Sequence, residues 1–107
     1  MKAILINPEK EQVTEVEYSG DYQDIYKLID CKTFDIVRTS VSNDGVYVDD
    51  EGLFAKERAF WRFDYCYGQP LITLVNKGLV LGCNDEGDTV APKSTVDYIK
   101  SKIWWGQ

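Results

Sequence analysis

An aromatic run in the middle of the chain holds the residues best suited to binding chemistry. The run covers residues 60–67 and reads Phe-Trp-Arg-Phe-Asp-Tyr-Cys-Tyr. In an extended strand alternate side chains share a face, which would bring four rings together: Trp61, Phe63, Tyr65 and Tyr67. Such a face can stack a nucleotide-like ligand, dock a partner protein or pack inside a core. We therefore take these four residues as candidate ligand- or partner-binding residues.

Two acidic turns are candidates for binding a divalent cation. Residues 48–53 and 83–88 share a pattern in which acidic or amide residues precede a glycine, and clustered carboxylate oxygens suit calcium or magnesium. An EF-hand loop, however, needs a Glu six residues after its glycine. That position holds Arg58 after one turn and Lys93 after the other. Because a cationic side chain cannot ligate a metal ion, we predict ordinary turns and no metal ligands.

Nucleophilic and redox chemistry has little support in the residue types present. The chain contains no His, which removes the commonest general base and metal ligand. Cys31, Cys66 and Cys83 lie 35 and 17 residues apart, with no Cys-x-x-Cys motif. An odd count excludes a complete framework of intrachain disulfides, and a zinc site would need a fourth ligand. We expect three reduced and mostly buried thiols, no catalytic residue and no cofactor.

Length and charge restrict the classes of partner. A chain of 107 residues is the size of one domain, residues 1–107. Its formal net charge of −6 disfavours double-stranded nucleic acid and anionic membranes, which attract a surplus of Lys and Arg. No apolar run approaches the roughly 20 residues of a membrane span, and the first residues lack the apolar region of a signal peptide. We expect a cytoplasmic protein.

Hydrophobic patterning predicts three antiparallel strand pairs that would position the candidate residues. Turn residues at Asn7-Pro8, Asp44-Gly45 and Asn76-Lys77-Gly78 separate short apolar or alternating runs, which is typical of hairpins. The predicted strand pairs are Ala3–Ile6 with Val13–Tyr18, Phe34–Val41 with Val46–Val48, and Leu71–Val75 with Leu79–Cys83. Residues 53–69 fit a strand, a helix or a loop, and stay unassigned.

Two apolar stripes at helical spacing complete the set of elements. Residues 22–29 follow Asp21, a good N-cap, and place four apolar side chains on one face. Residues 96–103 follow Ser94 and repeat the pattern. The order is therefore β-β-α-β-β-loop-β-β-α. We predict an α+β domain with a mainly antiparallel sheet and two helices packed on one face.

The carboxyl-terminal end carries two of the three tryptophans, Trp104 and Trp105. If the second helix continues through Ile103, each residue turns by about 100°. Trp104 then lies near the inward side, and Trp105 lies a further step away. We predict that Trp104 docks on the protein's own sheet and that Trp105 forms a partner contact, as in a homodimer.

Several short motifs along the chain resemble those of one protein family. They are the opening Met-Lys-Ala-Ile-Leu-Ile-Asn-Pro, the helix over residues 22–29, the Asp50-Glu51-Gly52-Leu53 turn, and Pro70-Leu71 followed by Gly-Leu-Val-Leu-Gly at 78–82. The family consists of small proteins carried by phages and mobile elements, a domain of unknown function. The resemblance implies a phage or bacterial cytoplasmic setting and transfers no catalytic residue.

Two functions remain open from the sequence. The acidic composition, the surplus of aromatic residues and the lack of a visible catalytic group favour a non-enzymatic accessory protein. Such a protein would be phage-encoded and would bind a host protein, or itself as a homodimer. The alternative is a module that binds or sequesters a nucleotide-like small molecule on the face formed by Trp61, Phe63, Tyr65 and Tyr67.

Overall fold

The computed structural model describes residues 1–39, 43–52 and 58–106. Within these ranges strands predominate, with two six-residue helices between them, α1 (Gln23–Leu28) and α2 (Val96–Ser101). The strands are β1 (Lys2–Asn7), β2 (Gln12–Glu17), β3 (Phe34–Arg38), β4 (Gly45–Asp49), β5 (Phe60–Phe63), β6 (Ile72–Val75), β7 (Gly78–Cys83), β8 (Thr89–Val90) and β9 (Ile103–Trp105). In this part of the chain no helix is long and apolar enough to cross a membrane.

A large antiparallel sheet forms the centre of the fold, in the strand order β2-β1-β7-β4-β3, with β8 added along β7. Its middle strand is β7, whose apolar residues are buried on both faces. Strand β1 lies beside it, with Ile4 opposite Val80 and Leu5 opposite Leu79. Continuous apolar runs such as these are expected where both faces of a sheet are covered.

The two faces of the large sheet carry different layers. Side chains alternate along a strand, and Leu79 and Leu81 pack with Ile25 and Ile29 from the α1 side. Val80 points the other way and packs in a cluster with Ile99 of α2. The prediction that both helices pack on one face is therefore wrong, because α1 and α2 lie on opposite faces. The predicted α+β class with a mainly antiparallel sheet is confirmed.

A second, three-stranded sheet covers the same face as α2, in the order β6-β5-β9. We call it the small sheet. Its central strand β5 comes from the region that the sequence left unassigned, of which residues 53–57 lie outside the described ranges. Trp61 of β5 rests on the large sheet at Gly78, where an added Cβ would lie 3.2 Å from an indole carbon. Glycine at position 78 thus permits the close approach of the two sheets.

Asp44 holds the backbone segment that leads into α2. Its side chain is fully buried, and its two carboxylate oxygens accept hydrogen bonds from the backbone N–H groups of Lys93 and Ser94, at 3.0 and 2.8 Å. Thr95, one residue after the predicted cap, caps α2 by accepting a hydrogen bond from the Tyr98 N–H at 3.1 Å. The turn before β4 therefore determines where α2 starts, and so where β9 follows.

Helix α2 ends earlier than the stripe predicted. The helix closes at Ser101, and the Lys102 N–H donates to the Ile99 carbonyl. The Lys102 carbonyl instead accepts from the Asp64 N–H at 2.9 Å, which begins the ladder between β9 and β5. Ile103 is therefore the first residue of a strand. The predicted end of the third strand, Val41, lies outside the described residues.

Candidate functional site

The structure separates the four rings of the aromatic run. Trp61 and Phe63 are buried, with 0 % and 1 % of their surface exposed, and their ring centroids lie 5.7 Å apart within the core. The Trp61 indole N–H donates to the Asn76 carbonyl at 2.8 Å, so its one polar group is satisfied inside the fold. Neither ring can contact a ligand or partner in this structure. The binding role predicted for these two residues is corrected to a role in the core.

Strand β5 ends at Phe63, before Tyr65 and Tyr67. Tyr65 is half-buried and packs against the edge of the same core. Tyr67 lies in a turn closed by a hydrogen bond from the Gln69 N–H to the Cys66 carbonyl, and its side chain is 95 % exposed. The extended stacking face that alternation predicted through residue 67 does not form.

A small cavity lies between this turn and α2. It has a volume of about 90 Å³ and is lined in part by Tyr65, Tyr67 and Tyr98. The Lys102 ammonium sits at its wall, 3.6 Å from an Asp64 carboxylate oxygen and 5.5 Å from the centre of the Tyr98 ring. Sites for small molecules usually enclose about 300–1,000 Å³. The cavity can therefore hold a few atoms, but not a nucleotide.

The two carboxyl-terminal tryptophans have exchanged their predicted places. In β9 the side chains alternate by about 180° per residue, whereas the helical prediction assumed steps of about 100°. Ile103 and Trp105 therefore point inward and pack with the core. Trp104 points outward and is 44 % exposed. The prediction that Trp104 docks inside is wrong, whereas the predicted partner contact of Trp105, which is half-buried against the core, stays a prediction.

Trp104 belongs to a row of exposed side chains across the outer face of the small sheet. Arg62 lies opposite Thr73 on one side and opposite Trp104 on the other. All three side chains are exposed, and we call the row Thr73-Arg62-Trp104 the Trp104 row. Tryptophan and arginine are the residue types most enriched at the energetic centres of protein interfaces. The Trp104 row thus has the composition of a protein-binding surface.

The strand that carries Trp104 is also an edge strand. Hydrogen bonds from Asp64 N–H to the Lys102 carbonyl and from Gly106 N–H to the Phe60 carbonyl, both 2.9 Å, show which residues face β5. Because ladder bonds alternate, the N–H and C=O groups of Ile103 and Trp105 point away from β5. No described strand pairs with them. We call these backbone groups the open edge of β9.

The open edge of β9 differs from the two outer strands of the large sheet. Natural edge strands usually carry charges or Pro that prevent pairing with another chain. Strand β2 has Glu15 and Glu17, and in β3 the Asp35 carboxylate accepts from the Ile36 N–H at 2.8 Å. Residues 103–106 read Ile-Trp-Trp-Gly, with neither a charge nor a Pro. The open edge of β9 is chemically suited to accept another strand.

In the acidic turns, side-chain oxygens accept hydrogen bonds from nearby backbone N–H groups. Asp49 accepts from the Glu51 N–H at 2.9 Å. The Asn84 side-chain oxygen accepts from the N–H groups of Glu86 and Asp88, at 3.0 and 2.8 Å, and Gly87 has a φ of 86°. These are the hydrogen bonds of ordinary Asx turns. Within residues 1–39, 43–52 and 58–106, no group of three or more His, Cys, Asp or Glu residues is placed to hold a metal ion.

The three cysteines are free thiols and half-buried, and so are more accessible than predicted. Burial raises the pKa of the Cys31 thiol to about 11, and the nearby carboxylates of Asp49 and Asp30 add to the shift. A thiol with this pKa is almost entirely protonated at neutral pH and is a poor nucleophile. Cys31 is therefore not an activated residue.

Comparison with known proteins identifies one family. The model of a domain of unknown function, DUF3846, matches residues 1–103. Neither the curated proteins nor the solved structures include a match. The matched range contains the large sheet, both helices and the first residue of β9. Trp104 and Trp105 follow directly after it.

Proposed function

We propose that this chain, which belongs to the DUF3846 family of domains of unknown function, is a non-enzymatic accessory protein, encoded by a phage, that binds a protein of its bacterial host. The observation that carries the proposal is Trp104. Its indole is 44 % exposed in the middle of an edge strand, next to Arg62 on the outer face of the small sheet. A large apolar ring in this position is a candidate anchor for a partner.

The exposed part of Trp104 is large enough to matter for affinity. A fully buried aromatic side chain removes about 150–250 Å² from water, so covering the 44 % that is exposed would remove roughly 70–110 Å². At about 25 cal/mol per Å² this stabilises a complex by roughly 2–3 kcal/mol. A contribution of about 2 kcal/mol or more is what defines a hot-spot residue.

The alternative function, binding of a nucleotide-like ligand on the aromatic strand, gains no observation in its favour. Trp61 and Phe63 lie in the core, and the cavity beside Tyr65 and Tyr67 has a volume of about 90 Å³. We therefore propose the protein-binding function alone.

The test is capture of proteins from a bacterial host lysate at physiological salt, with Trp104→Ala as the key variant. Tyr22→Ala is the matched control, because Tyr22 is also an exposed aromatic, 58 % accessible, but precedes α1 on the opposite face of the large sheet. We expect the wild type and Tyr22→Ala to retain the same proteins and Trp104→Ala to lose them. Retention of no protein, or equal retention by all three, would contradict the proposal.

A further inference from the structure

We propose that the open edge of β9 takes an extended acidic segment of the partner as a fourth strand of the small sheet. In this arrangement a carboxylate lies beside Lys102 and an apolar side chain lies against Trp104. The inference rests on the proposed protein-binding function and states which chemistry the partner brings.

The backbone of β9 is oriented to pair with an added strand. Ile103 and Trp105 each direct one N–H and one C=O away from β5, and no described strand pairs with these groups. An added strand can exchange main-chain hydrogen bonds at both residues, which is how edge strands recognise extended peptides. The neighbouring residues Lys102 and Trp104 would then contact the side chains of the added strand on the outer face.

The segments that form β5, α2 and β9 carry an excess of cationic side chains. Residues 58–64 and 93–105 hold five cationic side chains and two acidic ones, whereas the whole chain has a net charge of −6. The cationic residues are Arg58, Arg62, Lys93, Lys100 and Lys102. Lys102 directly precedes β9, so a carboxylate in the added strand is attracted to it.

A second copy of the chain is a poorer occupant on the same grounds. Pairing two β9 strands about Trp104 would bring two Lys102 ammonium groups and two bodies of net charge −6 into one complex. A carboxylate of an added strand would instead be attracted to Lys102. Its ammonium already lies 3.6 Å from Asp64, and 35 % of its side chain remains exposed, so a second carboxylate can approach it.

The experiment is a titration of the ¹⁵N-labelled protein with two capped decapeptides, followed by the amide resonances of Ile103 and Trp105. One peptide repeats Val-Thr-Glu-Thr, so that Val and Glu alternate along one face of the strand, and the other has Lys in place of each Glu. We call them the Val-Glu and the Val-Lys peptide. We expect the Val-Glu peptide to shift both amides and to bind at least tenfold more tightly than the Val-Lys peptide at low salt. The difference should shrink as salt screens the charges. A Val-Glu peptide with alternate amides N-methylated should lose binding, because it cannot complete the ladder.

Two variants test whether Lys102 contributes to binding of the Val-Glu peptide. Lys102→Gln should weaken binding of the Val-Glu peptide several-fold, whereas Lys27→Gln, a cation on α1 on the opposite face, should leave it unchanged. Equal binding of both peptides, or shifts confined to residues away from β9, would overturn the inference. A concentration-dependent dimer that protects the Ile103 and Trp105 amides would also overturn it, since the occupant would be a second copy.

The two proposals can fail separately. If Trp104→Ala abolishes capture from the lysate but the Val-Glu peptide does not bind β9, the partner uses the Trp104 row and the fourth-strand inference is wrong. If the peptide binds β9 but no host protein is captured, the edge accepts strands and the proposed function is wrong.

Discussion

Asp44 shows how one buried residue positions an entire end of the molecule. A carboxylate with no exposed surface is stable only when its oxygens are hydrogen-bonded, and here both accept backbone N–H groups before α2. Gly82 is part of the same arrangement, since an added Cβ would lie 2.6 Å from the Ala91 carbonyl oxygen. The Asp-Gly pair predicted a hairpin between β3 and β4, which the structure contains, but nothing local in the sequence indicates the long-range bonds of Asp44 to Lys93 and Ser94.

Replacement of Asp44 tests this role. In Asp44→Asn the amide nitrogen would face a backbone N–H donor, so one of the two bonds is lost and that donor is left unpaired. We expect the free energy of unfolding to fall by about 1–3 kcal/mol, measured by urea denaturation. Asp85→Asn is the control in an exposed turn and should change it by less than about 0.5 kcal/mol. Equal effects of the two substitutions would contradict the role assigned to Asp44.

Cys31 gives a second prediction at the scale of single residues. Burial, with smaller effects of Asp49 and Asp30, raises the pKa of this thiol from 9.0 to about 11. At pH 8 its thiolate fraction is then roughly 100-fold lower than that of an ordinary thiol. Alkylation of Cys31, followed by peptide mass spectrometry, should be slower than in urea by about that factor and should still rise between pH 9 and 11. A rate that levels off near pH 9 would show that the thiol is not perturbed.

The raised pKa of Cys31 also determines whether the stability of the fold rises or falls with pH in the alkaline range. A pKa that is higher in the folded than in the unfolded state means that folding retains the proton. The stabilisation is complete below about pH 9 and is lost as the pH rises towards 11. Burial likewise raises the pKa of Tyr18 above 10.0. The loss of stability over this range should be smaller in Cys31→Ser than in the wild type.

At the scale of elements, the segment from α2 to β9 decides what the surface presents. The stripe of Val96, Ile99 and Ile103 fits a helix. Ile103 alone does not reveal that the side-chain spacing changes there from that of a helix to that of a strand. The change is caused at a distance, by the bond from Asp64 N–H to the Lys102 carbonyl. Because the chain is a strand and not a helix at residues 103–105, Trp104 points outward and Trp105 points inward, opposite to the helical prediction.

This reversal predicts different effects of the two tryptophans on stability. Trp105→Ala removes a ring that packs against the core and should lower the free energy of unfolding by about 2–4 kcal/mol. Trp104→Ala removes a ring from the surface and should lower it by less than about 1 kcal/mol. Urea denaturation of both variants provides the comparison. A larger loss for Trp104→Ala would indicate a helical continuation.

Local sequence predicted the hairpins β1–β2 and β3–β4, which the structure contains. The predicted pairing of Leu71–Val75 with Leu79–Cys83 is wrong, because β6 pairs with β5 in the small sheet and β7 pairs with β1 and β4 in the large sheet. The turn at Asn76 joins these two strands, and Gly78 begins the one that lies under Trp61. Turn dipeptides predict where a chain reverses, but the assignment of strands to sheets depends on packing between distant residues.

For the candidate site, the sequence identified the aromatic residues but not their exposure. The alternation rule holds in β5, where Trp61 and Phe63 do share a face, and that face is the core. The exposed aromatic of the small sheet is Trp104, which the sequence assigned to the interior. A strand prediction for residues 103–105 would have placed it correctly.

At the scale of the whole molecule, the distribution of charge is more informative than the net charge. The value of −6 describes an acidic protein, but cationic side chains predominate in the segments that build α2 and two strands of the small sheet. The open edge of β9, Arg62 and Trp104 belong to these segments. Backbone acceptors and donors, an exposed indole and the Lys102 ammonium thus lie close together, which is the basis of the proposed partner binding.

Binding of a partner at Trp104 can be tested by site-specific photocrosslinking in the bacterial host. A benzophenone amino acid is incorporated in place of Trp104 in one variant and in place of Tyr22 in another, and the adducts are identified by mass spectrometry. We expect covalent adducts with a host protein from position 104 and none from position 22. Adducts from both positions alike, adducts only with a second copy of the chain, or no adducts from position 104 would contradict it.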